Sequence, residues 1–210
     1  MKFKSTKEIK VEKRIIDQVI GQDDAVKIMK KAASQRRHVL LIGEPGTGKS
    51  MLIAAIATKL KEHSDALDIP FLFHPMPDTL ISTFQGGSAA KMVEWMKPMQ
   101  DPTKLIFAPI DDAENNLQER TAQGVSAGVK EVIGVFLRYT EGAYAVNYGN
   151  SSIGLFTNLP EMLDKAVISR VQGRFKIDGA RNEKDFVDQD YLWWKKLEVF
   201  FSSRRRHTRF

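Results

Sequence analysis

Cysteine is absent from this 210-residue chain, which excludes a disulfide framework and a thiolate zinc site. Long apolar runs are absent too: none approaches the roughly 18–20 residues needed to cross a bilayer. The N-terminal Met1–Glu8 carries charge but lacks the apolar stretch of a secretory signal. A cytoplasmic location without a membrane span is expected. Histidines are few, and His38, His63 and His74 are too scattered to form a metal site; they are expected at strand ends or on the surface. Internal repeats and low-complexity segments are lacking. The composition, 42% hydrophobic and 28% charged, suits one compact α/β domain with a fragment of a second.

The net charge of +6 points toward a polyanionic partner, but its source weakens that inference. Ser202-Ser-Arg-Arg-Arg-His-Thr-Arg209 reads as translated synthetic DNA and resembles a sequencing-adapter oligonucleotide, with Phe200 and Phe201 as its lead-in. Setting aside its four arginines leaves 6 − 4 = +2, so direct nucleic-acid binding is not expected. Residues 200–210 are therefore treated as a non-native tail, and the natural reading frame is expected to continue beyond Val199.

Apolar runs alternate with helical periodicities. His38–Ile42, Phe71–Phe73, Leu105–Ile110, Ser152–Thr157 and Phe175–Ile177 read as strands, with Pro109 weakening the third. Helices are predicted after Asp23, from Met51 to Leu60, from Ser88 as cap with Met92, Val93, Met96 and Met99 inward, and over Val129, Val132, Ile133, Phe136 and Leu137 up to Gly142. Residues 183–198 also read as helical, with Trp193-Trp194 as a packing anchor rather than a nucleobase platform. The alternation predicts a mostly parallel sheet of five strands covered on both faces.

Gly43-Glu44-Pro45-Gly46-Thr47-Gly48-Lys49-Ser50 satisfies G-x-x-x-x-G-K-[ST]. Glycines allow successive backbone N–H groups to converge on phosphate oxygens, and the helix that follows directs its positive end at the same anion. The Lys49 ammonium reaches β- and γ-phosphates, the Ser50 hydroxyl ligates Mg²⁺, and Met51 adjoins the bound nucleotide. At the end of the Leu105–Ile110 strand, Asp111 is the expected Mg²⁺ carboxylate and Asp112 the residue that orients the attacking water. Asn158 ends the next strand, where its amide can meet the γ-phosphate or that water; such an asparagine is also a common turn residue.

Together these segments resemble the AAA family of AAA+ ATPases across roughly residues 15–180. In that resemblance Ile20-Gly21 packs on adenine, Gly43–Ser50 is Walker A, Ile110-Asp111-Asp112-Ala113-Glu114 is Walker B, and Asn158 is sensor 1. Leu163–Phe175 is similar to the arginine-finger segment, with Arg174 in the finger position. Ser82-Thr-Phe-Gln-Gly-Gly-Ser88 is similar to the first pore loop, whose aromatic residue, here Phe84, grips a threaded polypeptide; plain core packing is the other reading of Phe84. Val19–Leu52 is also similar to membrane-type Lon proteases. The implied fold is a P-loop NTPase three-layer sandwich with its helical lid truncated. Its parts are a linker (1–18), the nucleotide-binding domain (19–180) and the start of the lid (181–199). The implied assembly is a homo-oligomeric, usually hexameric, ring with Arg174 acting in trans. Asp112 departs from the family's glutamate and is one methylene shorter, so slow hydrolysis, or help from Glu114, is expected.

Three functions remain open on these residues. The first is an ATP-driven remodeller or unfoldase of protein substrates, and the second a nucleotide-dependent loader or switch with slow hydrolysis. The third is a structural ring component with degenerate hydrolysis.

Overall fold

The computed structural model describes residues 38–82, 84, 86–140, 150–171 and 173–178. Five parallel strands form one sheet, each linked to the next by a connection that contains a helix. The order along the chain is β1 (Val39–Gly43), α1 (Lys49–Ala66), β2 (Phe71–Phe73), α2 (Gly87–Met96), β3 (Leu105–Ile110), α3 (Ala127–Thr140), β4 (Ser151–Thr157), α4 (Lys165–Arg170) and β5 (Gly173–Ile177). In space the strands run β2-β3-β4-β1-β5. The expected parallel, five-stranded α/β sandwich is thus the observed fold.

Alternation along the strands sends successive side chains to opposite faces. Val39, Leu41, Phe107, Phe156 and Ile177 meet Leu52, Ile53, Ile56 and Leu60 of α1 on one face. Leu40, Ile106, Ile110, Ile153 and Leu155 meet Met92, Met96, Val132, Ile133, Phe136 and Val167 on the other, so α2, α3 and α4 share that layer. Burial of each large side chain stabilises the fold by about 2 kcal/mol. All seven residues of β4 are buried, as expected for a strand enclosed on both faces.

Several predicted boundaries shift. β1 begins one residue later than read, because His38 is used at the strand's entrance: its Nδ1 accepts the Ile153 N–H at 3.1 Å and its carbonyl accepts the Gly173 N–H. His74 stacks on Trp95 and sits 2.9 Å from the Trp95 carbonyl. α1 extends to Ala66, since no glycine or proline interrupts it after Leu60. Ser88 is not the cap of α2. Gly86 occupies that position, in a left-handed conformation and without a side chain to bond, while Ser88 lies inside the helix and accepts the Ser82 N–H. Met92, Met96 and Met99 are fully buried as expected, although Met99 lies in the 3₁₀ turn Lys97–Gln100 that follows α2.

Pro109 sits within β3 without breaking it. Leu105 donates to Pro70, while His74 and Met76 donate to the carbonyls of Phe107 and Pro109. Odd-numbered residues of β3 therefore face β2 and its extension. The donor that proline lacks points past Phe73, where β2 has already ended.

Among the described residues no helix is long and apolar enough to cross a membrane. The helices predicted after Asp23 and over 183–198, the paired tryptophans, the linker, the lid and the C-terminal tail lie outside the described residues.

Candidate nucleotide site

Parallel pairing brings three strand ends side by side. The register sets Ile42 beside Thr157 and Ile110 beside Leu155. The chain leaving β1, β3 and β4 therefore emerges at one edge of the sheet, where ligands bind in open α/β folds. An open cleft of about 350 Å³ lies there, lined by Pro45, Gly46, Gly48, Lys49, Ser50, Met51, Asp111, Asp112 and Asn158.

The loop after β1 is held by its own backbone. Thr47 donates through both its N–H and its hydroxyl to the Glu44 carbonyl, at 3.2 and 2.9 Å. Gly46 and Gly48 adopt φ of 83° and 87°, a region that side-chain-bearing residues rarely enter. α1 starts at Lys49 with no acidic residue in its first turn, leaving its N–H groups and positive dipole end directed at the cleft. The Lys49 ammonium lies on its own loop and donates to the carbonyls of Gly43, at 2.7 Å, and Glu44, at 3.0 Å. Glu44 and Thr47, though in the motif, are not among the residues that line the cleft.

Across the cleft, the Ser50 hydroxyl donates to Asp111 Oδ2 at 3.1 Å. Asp111 Oδ1 accepts the Asp112 N–H, and Asp112 adopts φ 43°, ψ 54°. Aspartate and asparagine tolerate this left-handed region better than other side chains. The Asp112 carboxyl titrates above the ordinary aspartate range. Desolvation contributes most, the charges of Asp111 and Glu114 come next, Lys49 opposes them, and Asp78 adds a little.

The left-handed conformation at Asp112 separates its own fate from that of Glu114. Asp112 opens onto the cleft. Glu114 is only 7% exposed, and its Oε2 accepts the Thr157 hydroxyl at 2.5 Å. Its help in orienting water, an expectation from sequence, is thus not favoured: its carboxylate is directed at the interior partner rather than the cleft.

Other expected residues lie elsewhere. Arg174 is exposed on the edge strand β5, donating to the Ile168 carbonyl at 2.9 Å, and does not line the cleft. Phe84 is 81% exposed, so its reading as core is corrected: Gly86 and Gly87 hold the chain in a surface turn, with the Gly87 N–H bonded to the Phe84 carbonyl. Ile20 and Gly21 lie outside the described residues.

Sequence reasoning missed a set of long-range polar contacts. Glu131 on α3 accepts the Gly86 and Ala89 N–H groups at the start of α2. Asp164 caps α4 through the Ala166 N–H and receives the Arg120 guanidinium at 2.7 Å. Burial pushes the Asp164 carboxyl upward, but hydrogen bonds from Arg120 and Ala166 outweigh it, and the group titrates below the ordinary range. Only the N-cap position of Asp164 carried a local signal.

This fold and this cleft define a P-loop nucleoside triphosphatase. The chain belongs to the AAA family, the ATPase family associated with various cellular activities, whose model matches residues 39–178. It is accordingly an ATP-binding ATPase of the AAA+ type. An archaeal Lon protease from Archaeoglobus fulgidus is 58% identical over 112 residues, covering 50% of this chain and 18% of that protein. Another, from Pyrococcus abyssi, is 50% identical over 99 residues, covering 46% of this chain and 10% of that protein. The chain thus spans less than a fifth of the length of these relatives. A chain in the structure of the E. coli MS115-1 HORMA:CdnC:Trip13 complex superposes with a TM-score of 0.67 at 18% identity, covering 87% of this chain and 70% of that one. At that identity the likeness establishes the fold.

Proposed function

We propose that ATP hydrolysis in this cleft drives movement of a protein substrate through a ring of identical subunits. The observation that carries the remodelling part is Phe84, 81% exposed on a short loop braced at its base, since an exposed aromatic provides sequence-tolerant grip. Identity to Lon proteases supports a protein as substrate.

In this reading the Lys49 ammonium exchanges its two loop carbonyls for β- and γ-phosphate oxygens, joined by the N–H groups of the loop and of the first turn of α1. The Ser50 hydroxyl and Asp111 carboxylate face each other at 3.1 Å. Two hard oxygens with one negative charge fit Mg²⁺, which keeps several waters and takes phosphate ligands. When bound, the ion would offset charge on the phosphates. Asp112 accepts a proton from the attacking water and orients it toward the γ-phosphorus, and Asn158 donates to a γ-phosphate oxygen or to the same water. ADP and inorganic phosphate result. Arg174, exposed on an edge strand, is the proposed finger for a neighbouring subunit's site. Residues 19–180 form the proposed nucleotide-binding domain, with 181–199 opening the lid and Ile20-Gly21 against adenine.

The experiment is Phe84→Ala in the intact protein. Substrate processing is expected to be lost while ATP hydrolysis continues; unchanged processing removes the pore-loop assignment. A second reading, a nucleotide-dependent loader or switch with slow hydrolysis, is favoured by Asp112, whose shorter arm holds water less closely than glutamate. That reading requires a partner held in one nucleotide state only, which pull-downs with ATP and with ADP test directly.

A further inference from the structure

We infer that Glu114 acts through Thr157 to hold Asn158 at the cleft, making both positioning residues for hydrolysis. Thr157 ends β4 and is completely buried. Its hydroxyl donates to Glu114 Oε2 at 2.5 Å and accepts the Leu159 N–H at 3.0 Å. A hydroxyl has one proton to give. Here it goes to a carboxylate, while the oxygen closes a turn over the next two residues. Asn158 is the middle residue of that turn.

Glu114 is fixed in its turn by the strand end that carries Asp112. It lies in the 3₁₀ turn Ala113–Asn115, where the Asn115 N–H bonds to the Asp112 carbonyl at 2.9 Å and the Leu117 N–H to the Ala113 carbonyl at 2.9 Å. Beyond the ladder that pairs Ile110 with Leu155, this buried side-chain bond ties the chain leaving β3 to the end of β4, setting the spacing of Asp112 and Asn158 from behind the cleft. Burying a carboxylate is unfavourable without such a partner, and an apolar pair at these positions would fill the space without that cost.

The inference rests on Asn158 acting on the γ-phosphate or the attacking water, and a double-mutant cycle separates the two claims. Turnover, affinity for a fluorescent ATP analogue and melting temperature are measured on the intact protein for T157V, T157S, N158A and T157V/N158A. T157V is expected to lower kcat about tenfold with nucleotide affinity changed less than about threefold, as misplacement of a positioned group does. T157S, which keeps the hydroxyl, restores most of that loss. In the N158A background T157V adds less than about a twofold further loss, because coupled residues are not additive. Parental turnover in T157V, or losses that multiply, overturns the relay while leaving Asn158 in place. Parental turnover in N158A overturns the Asn158 assignment, and the relay with it. Should T157V not fold, E114A and E114Q decide together. E114A, which removes the acceptor of the Thr157 hydroxyl, is expected to lower kcat about tenfold, and E114Q, whose amide oxygen still accepts it, to keep most of the turnover. Parental turnover in E114A overturns the relay, and loss in E114Q equal to that in D112N overturns it in favour of Glu114 as the base.

Discussion

The Lys49 ammonium donates to the carbonyl of Gly43 at 2.7 Å and to that of Glu44 at 3.0 Å. The cation is thus kept on the loop it serves, and a triphosphate has to exchange these two neutral acceptors for charged ones. Hydrogen bonds to charged groups contribute about 1.5–3 kcal/mol, so Lys49→Ala is expected to weaken ATP binding by roughly one to two orders of magnitude. Isothermal titration with ATP measures this directly. Parental affinity in the variant would remove the phosphate-binding role.

Asp112→Asn is expected to retain ATP and lose turnover. It also carries a stability signature whose sign follows from the raised titration of Asp112. The native state holds this proton more tightly than the unfolded chain does, so ionised Asp112 weakens the fold at neutral pH and that penalty fades as pH falls through the native value. The asparagine variant should therefore melt higher than the parent at pH 7, with the gap closing toward acid. Melting curves at several pH values check it, and a lower melting point at pH 7 contradicts it.

Glu131→Ala should loosen the base of the Phe84 turn. Gly86 offers α2 no side-chain cap, and Glu131 supplies the missing acceptor from α3 at 2.9 and 3.3 Å. Loss of a cap costs about 1 kcal/mol. Faster hydrogen exchange at the Gly86 and Ala89 amides is expected, with ATP affinity unchanged. Unaltered exchange at both amides refutes the bracing role.

His38 predicts a distinct acid sensitivity. Burial lowers its pKa from 6.5 to about 4, so the unfolded chain binds a proton between those values that the native state refuses. Stability contributed by neutral His38 is full above pH 6.5 and is lost as pH falls toward 4. His38→Asn leaves an acceptor for the Ile153 N–H and removes the titration. Urea denaturation across this range should show a shallower decline in the variant; identical declines would assign the effect elsewhere.

The parts of the fold most legible in the sequence are those governed by local pattern. Phe71–Phe73 and Leu105–Ile110 read as strands to the residue, since period and composition determine both. The phosphate loop was legible because its geometry demands glycines at fixed positions. Contacts between distant residues were not. Glu131 is 45 residues from Gly86, Glu114 is 43 from Thr157, and Arg120 is 44 from Asp164. An acidic residue in a helix or after a strand gives no sign of which distant donor it will meet. Ser88 illustrates the reverse failure: its composition fits a cap, yet the neighbouring helix already provided one.

The position of β1 has a consequence for how the molecule comes into being. It is the first described strand to be synthesised, yet both of its sheet neighbours are the last two, β4 and β5. While the chain emerges from the ribosome, Val39–Gly43 has no edge to join until residues 151–177 have followed it out. Contacts that span so much sequence form slowly. The finished phosphate loop is consequently a late product of assembly, and nucleotide capture marks a domain whose final strands are already in place.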